Sequence, residues 1–215
     1  MGKQQLFIIC SLKKIMAGYK LNKEVLVFDR ELTELDYFVK SFLEVLKKYS
    51  DYLIVSGFVS IATGRTRATE DVDILVPIPK KEIFERLFND LIKNKFWCYQ
   101  GKTAEETWDY AKNMQNIRFA KENQMFPNME VVFINQSKKA KYYEFSHPQQ
   151  IKVKDFEFKI PPLEFEIIYK EIVLKGKKDK EDASHLRAVF QDILKEDKFK
   201  ECREIIKTEL KSYKQ

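Results

Sequence analysis

The stretch Tyr52-Leu53-Ile54-Val55-Ser56-Gly57-Phe58-Val59-Ser60, followed by Asp71-Val72-Asp73-Ile74-Leu75-Val76, decides the reading of this chain. The first apolar run ends in a small Ser-Gly pair, and the second opens with two carboxylates one residue apart. The pattern predicts strand, tight turn, short helix, loop and strand. Side chains alternate along a strand, so Asp71 and Asp73 fall on one face and Val72 and Ile74 on the other. Two carboxylates at close quarters repel by about 4 kcal/mol at an effective dielectric near 20. Either the pair caps a strand end in solvent, or it holds a cation or a shared proton. The cation reading points to divalent metal and phosphate chemistry.

Between the two runs lies Gly64-Arg65-Thr66-Arg67-Ala68-Thr69-Glu70. The small pair, then Arg67-x-Thr69-x-Asp71-hydrophobic-Asp73, resembles the signature of the nucleotidyltransferase superfamily, of polymerase-beta-like fold. The branch it is most similar to is the minimal nucleotidyltransferases of the AbiEii toxin type. Ser56 departs from the glycine usual at the first small position. The resemblance extends to Glu130 on a later apolar run, Met129 to Ile134, in the place of the third carboxylate, and to Lys170, Lys178-Asp179 and Asp182 near the C-terminus. It covers roughly residues 50 to 190. It implies an α+β fold with a nucleotidyltransferase-like mixed sheet flanked by helices and a C-terminal helical bundle packed on it.

The resemblance implies a site as well. Asp71, Asp73 and Glu130 would be catalytic and would hold Mg²⁺ or Mn²⁺, hard cations that take oxygen ligands. Glu130 would also help deprotonate the acceptor hydroxyl. Ser56 and Gly57 would receive a triphosphate at a helix N-terminus, where free N–H groups favour anions. Ser60 either adds a hydroxyl there or is a plain first-turn serine. Arg67 either clamps phosphate or pairs internally with Glu70 and Asp71, and Arg65 is expected in solvent. Lys170 would face the nucleotide, while Asp179 and Asp182 would orient or cap the C-terminal helices.

The activity implied is metal-dependent transfer of a nucleoside monophosphate from an NTP to an acceptor hydroxyl on RNA or tRNA, a protein or a small molecule, with toxin–antitoxin biology in view. The alternative is a nucleotidyltransferase-fold module that binds nucleotide or RNA without turnover. Basic helices alone suggest a third class, a DNA-binding protein, but no helix-turn-helix or zinc pattern supports it.

Charge and composition agree with a polyanionic ligand. The 215 residues carry a net charge of +6 and a pI near 9.0, which favours nucleotide or nucleic acid. Much of the positive charge sits on C-terminal segments that also read as an ordinary solvated surface. Seventeen Phe and ten Tyr suffice for a packed core. Cys10, Cys98 and Cys202 form neither a zinc spacing nor a disulfide framework, so a reducing cytoplasm is the expected setting. No stretch approaches a membrane span. A homodimer is compatible with everything above.

Residues 1–20 read as an N-terminal extension, expected to be disordered, with Met16 an alternative start. Residues 21–160 read as the nucleotidyltransferase domain and 161–215 as a helical region. Thr33 is placed to cap a helix running to about Lys48. Further helices are expected over 81–93 and 104–114, and strands over 96–99, 117–120 and 129–134. A hairpin is expected through Lys154-Asp155, and three helices after Pro161-Pro162. His147 and His185 lack partners at ligand spacing.

Overall fold

The computed structural model describes residues 18–212, so residues 1–17 of the expected extension lie outside the described residues. In chain order the elements are β1 (Tyr19–Asn22), β2 (Val25–Phe28), α1 (Glu34–Leu46), β3 (Leu53–Ile54), α2 (Gly57–Ala62), β4 (Asp71–Pro77), α3 (Lys81–Lys93), β5 (Phe96–Cys98), α4 (Ala104–Lys112), β6 (Ile117–Lys121), β7 (Asn128–Ile134), α5 (Lys139–Ser146), β8 (Gln149–Val153), β9 (Phe156–Ile160), α6 (Leu163–Tyr169), α7 (Lys177–Val189) and α8 (Glu196–Ser212). A π-helical turn over Lys170–Leu174 continues α6.

The strands form two sheets. One has the order β3-β4-β7-β6-β5, with β4 and β7 parallel and the other pairs antiparallel. The other has the order β1-β2-β8-β9, in which β2 and β8 run parallel. The β1–β2 hairpin was not expected from sequence, and neither was α5.

Period-two alternation divides the five-stranded sheet into two faces. Ile54, Val72, Ile74, Val76, Met129, Val131 and Phe133 belong to the main core with α1 and α3. On the opposite face Leu53, Val55, Leu75 and Ile134 form a second cluster, with Val132 and Phe145 of α5 against it. Asp71 and Asp73 share the face of Leu75, and the parallel register sets Asp73 beside Glu130 and Leu75 beside Val132. One strand pair therefore carries apolar packing along its length and carboxylates at its end.

Local chemistry fixes the helices around this end. Thr33 caps α1 as expected: its Oγ1 accepts from the Asp36 N–H at 3.3 Å, and Asp36 accepts from the Thr33 N–H at 2.8 Å. Such a box satisfies two otherwise orphaned donors. Arg30 grips the same carboxylate at 2.6 and 2.9 Å and also donates to the Ala62 carbonyl, so the start of α1 is tied to the end of α2. Gly176 precedes α7, and the Asp179 carboxylate accepts its N–H at 3.2 Å. The C-terminal helices pack on the sheet layer, with α7 against α2 and α8 against α5 and α6.

Candidate active site

Asp71 and Asp73 project from the start of β4, both partly exposed, with Glu130 in register on β7 and almost buried. The Thr69 hydroxyl donates to the Asp71 carbonyl at 2.8 Å, fixing the turn into the strand. Burial first, then the Asp71 charge, pushes the Asp73 carboxyl up to about 6, with a smaller push from Glu130. A hydrogen bond from Ser56 and the positive charge of Lys141 work the other way. Lys141 stands on α5, where its Nζ lies 3.1 Å from Glu144 and 4.2 Å from the centre of the Tyr169 ring.

Glu130 is not free. Arg118, directly across from it in the β6–β7 register, donates from Nε at 2.9 Å and Nη2 at 2.6 Å to one carboxylate oxygen. Asn116 donates to the other oxygen at 2.7 Å. Among the described residues no three His, Cys, Asp or Glu side chains converge as a ready metal cluster. Asp71 and Asp73 offer the hard oxygens that magnesium prefers, so a metal fits the pair, while Glu130 would have to exchange partners to join them.

Ser56, between β3 and α2, has φ 64° and ψ −132°. That conformation is almost reserved for glycine, and a non-glycine residue held there stores about 1–3 kcal/mol. Ser56→Gly should release this strain, less the about 0.5–1 kcal/mol of extra chain entropy that glycine loses on folding. A net gain of about 1 kcal/mol is expected in urea unfolding. A loss of stability would show that the Ser56 bond to Asp73 outweighs the strain.

At Gly57, where a close approach of phosphate is expected, the Arg67 side chain packs against the backbone. A Cβ there would lie 3.0 Å from the Arg67 Cζ and 3.1 Å from both terminal nitrogens, so the guanidinium lies flat on this glycine. Arg67 Nη1 then reaches Asp182 of α7 at 2.5 Å, and neither Glu70 nor Asp71 is its partner. Arg65, expected in solvent, is instead drawn in by Asp182, by Glu181 at 2.5 Å and by the Lys178 carbonyl at 3.3 Å.

Lys170 and Ser60 have no exposed surface. The Lys170 Nζ is held between Asp182 at 3.0 Å and Glu166 at 3.2 Å. Burial disfavours its ammonium, but Glu166 and Asp182 outweigh burial and raise its pKa. Lys170 therefore meets the arginines of the site loop through Asp182 and does not itself open onto the carboxylate face. Ser60 Oγ is buried with no hydrogen-bond partner among the described residues. The run of alternating charge continues to Glu144, whose carboxyl burial pushes up to about 7 against the pull of Lys141. His185 meets the Thr63 hydroxyl at 3.2 Å and His147 the Tyr143 carbonyl at 2.9 Å, so both histidines have ordinary structural partners. A cavity of about 710 Å³ lined by Tyr143, His147, Glu164, Asp192 and Cys202 shares no residue with the carboxylate face.

Sequence reasoning missed Arg118, Asn116 and Lys141, and it gave Asp182 too small a part. Only register could have exposed Arg118, since β6 and β7 pair antiparallel and set it opposite Glu130.

Two solved structures share this arrangement of elements. An antigenic nucleotidyltransferase-like protein from Paracoccidioides brasiliensis matches with a TM-score of 0.50 and 16% identity, over 74% of this chain and 76% of that one. The lincosamide antibiotic adenylyltransferase LnuA, in its lincomycin-bound form, matches with a TM-score of 0.50 and 13% identity, over 74% of this chain and 99% of its own. No family model and no curated protein matches the sequence. The chain has a nucleotidyltransferase-like α+β fold. No helix among the described residues is long and apolar enough to cross a membrane.

Proposed function

We propose that the protein transfers a nucleoside monophosphate from an NTP to an acceptor hydroxyl. The observation that carries this reading is the pair Asp71 and Asp73 on one face of β4, beside the Ser56-Gly57 turn, in a nucleotidyltransferase-like fold. Asp71 and Asp73 would hold Mg²⁺ or Mn²⁺, which when bound supplies charge neutralisation at the reacting phosphate and favours the ionised acceptor hydroxyl. Nucleotidyl transfer asks the protein mainly for positioning and electrostatics. Ser56, at the turn beside Asp73, favours the ionised form of its carboxyl. Arg67, seated on Gly57 and steadied by Asp182, supplies a planar cation suited to phosphate oxygens. Lys170 steadies Asp182 in turn.

The net charge of +6 favours RNA or another polyanion as acceptor. One structural neighbour is named for action on a lincosamide antibiotic, so small hydroxylated compounds belong in the same screen. A second reading, a nucleotide-binding module without turnover, rests on one observation: both Glu130 oxygens are already held by Arg118 and Asn116.

Incubation with each α-labelled NTP, magnesium and total RNA, protein or small hydroxylated acceptors tests the proposal. Label should pass to one acceptor class with the wild type and to none with Asp73→Asn. Nucleotide binding without labelled product in any combination would favour the binding module. Equal labelling by the two proteins would rule out the assigned site.

A further inference from the structure

The carboxylate face carries a cation of its own. Asp71, Asp73 and Glu130 occupy neighbouring positions on two parallel strands, and strands in a sheet lie about 4.8 Å apart. Three such charges need a counter-charge. Arg118 provides it from the third strand, with two donors on a single Glu130 oxygen, and its charge also acts on Asp71 and Asp73. The two partners differ in freedom. The Arg118 side chain is 45% exposed and that of Glu130 only 12%. Arg118 can therefore swing into water without disturbing the core, while Glu130 stays where β7 holds it. An exposed arginine in a salt bridge is held only modestly, so a stronger cation could replace it.

We propose that Arg118 is a positioning residue, the resident counter-ion of this face, and that it competes with a divalent cation for Glu130. The inference rests on the metal reading of Asp71 and Asp73 given above. With Arg118 in place, Glu130 is bound by guanidinium and Asn116. With Arg118 displaced, Glu130 becomes a third hard-oxygen donor beside Asp73. Bivalent charge and compact size then favour the metal over the guanidinium.

Manganese binding to the full chain without nucleotide, read from the loss of the free Mn²⁺ electron paramagnetic signal, tests this independently of turnover. Arg118→Ala is expected to tighten Mn²⁺ binding about tenfold, equivalent to about 1.4 kcal/mol. Arg118→Lys, which keeps charge but loses the planar fork, should fall between the two. In a Glu130→Gln background the same Arg118→Ala change should shift binding by less than about twofold, because the contested ligand is gone. Equal tightening in both backgrounds would mean a general field effect and would overturn the proposal. So would unchanged binding in Arg118→Ala while Asp73→Asn still weakens it. Should Asp73→Asn leave Mn²⁺ binding unaltered, the metal reading itself falls, and the inference with it.

Discussion

Asp182→Ala is expected to destabilise the protein by about 3–5 kcal/mol, the range for removing one partner of a buried ion group. Asp182 has no exposed surface and accepts from Arg65, Arg67 and Lys170. Its loss leaves Lys170, also fully buried, with Glu166 alone. The two arginines lose the anion that draws the 64–70 loop onto α7. Asp182→Asn keeps one acceptor oxygen and should lose less. Urea midpoints at unchanged slope measure both variants. A loss below about 1 kcal/mol in Asp182→Ala would show that the cluster contributes little and that packing alone seats the loop.

Asp73→Asn is expected to act with the opposite sign. An Asp held at about 6 in the folded protein, against an ordinary 3.8, is disfavoured as a carboxylate by about 3 kcal/mol, at about 1.36 kcal/mol per unit of pKa. Below pH 3.8 both folded and unfolded chains carry the proton and the group contributes nothing. Between 3.8 and 6 the folded state binds the proton and the unfolded chain does not, so stability falls as pH rises. Above 6 the full penalty remains. Asp73→Asn should therefore gain up to about 3 kcal/mol at pH 8 and close to nothing at pH 3.5. Thermal or urea unfolding at the two pH values reads the difference. An equal effect at both would mean that Asp73 is not strained by its charge.

Local rules made much of the fold legible. The alternation across Asp71 to Val76 gave the right faces, because β4 is buried on one side by α1 and α3 and on the other by α5. Thr33 marked the start of α1, and the Lys154-Asp155 turn joins β8 and β9 as read, with Lys154 at positive φ. The β1–β2 hairpin escaped because its four-residue strands bury few side chains, Tyr19, Leu26 and Phe28 among them. Its parallel pairing with β8 depends on residues far along the chain. Helix α5, Lys139 to Ser146, escaped because its apolar residues have no helical period.

At the site, the Asp pair was visible through its spacing together with the Ser-Gly turn and the Arg-x-Thr lead-in of the resemblance. The partner of Arg67 was not, since Asp182 lies 115 residues away and Glu70 and Asp71 stood nearer in sequence. Arg118 was hidden for the same reason: a cross-strand neighbour is set by register, which local sequence does not state.

The Asp182 junction also sets an order of events in biosynthesis. A ribosome releases the Ser-Gly turn, both arginines and the Asp pair long before it has made α7, and β2 waits similarly for β8. Until then the loop that leads into β4 carries two unopposed cations on an unfinished chain. Contacts so distant in sequence make for slow, late consolidation, and domains emerge N-terminal part first at about 5–20 residues per second. The 64–70 loop should thus be among the last parts to settle, and a nascent chain stopped before α7 should expose it to protease while the finished chain protects it.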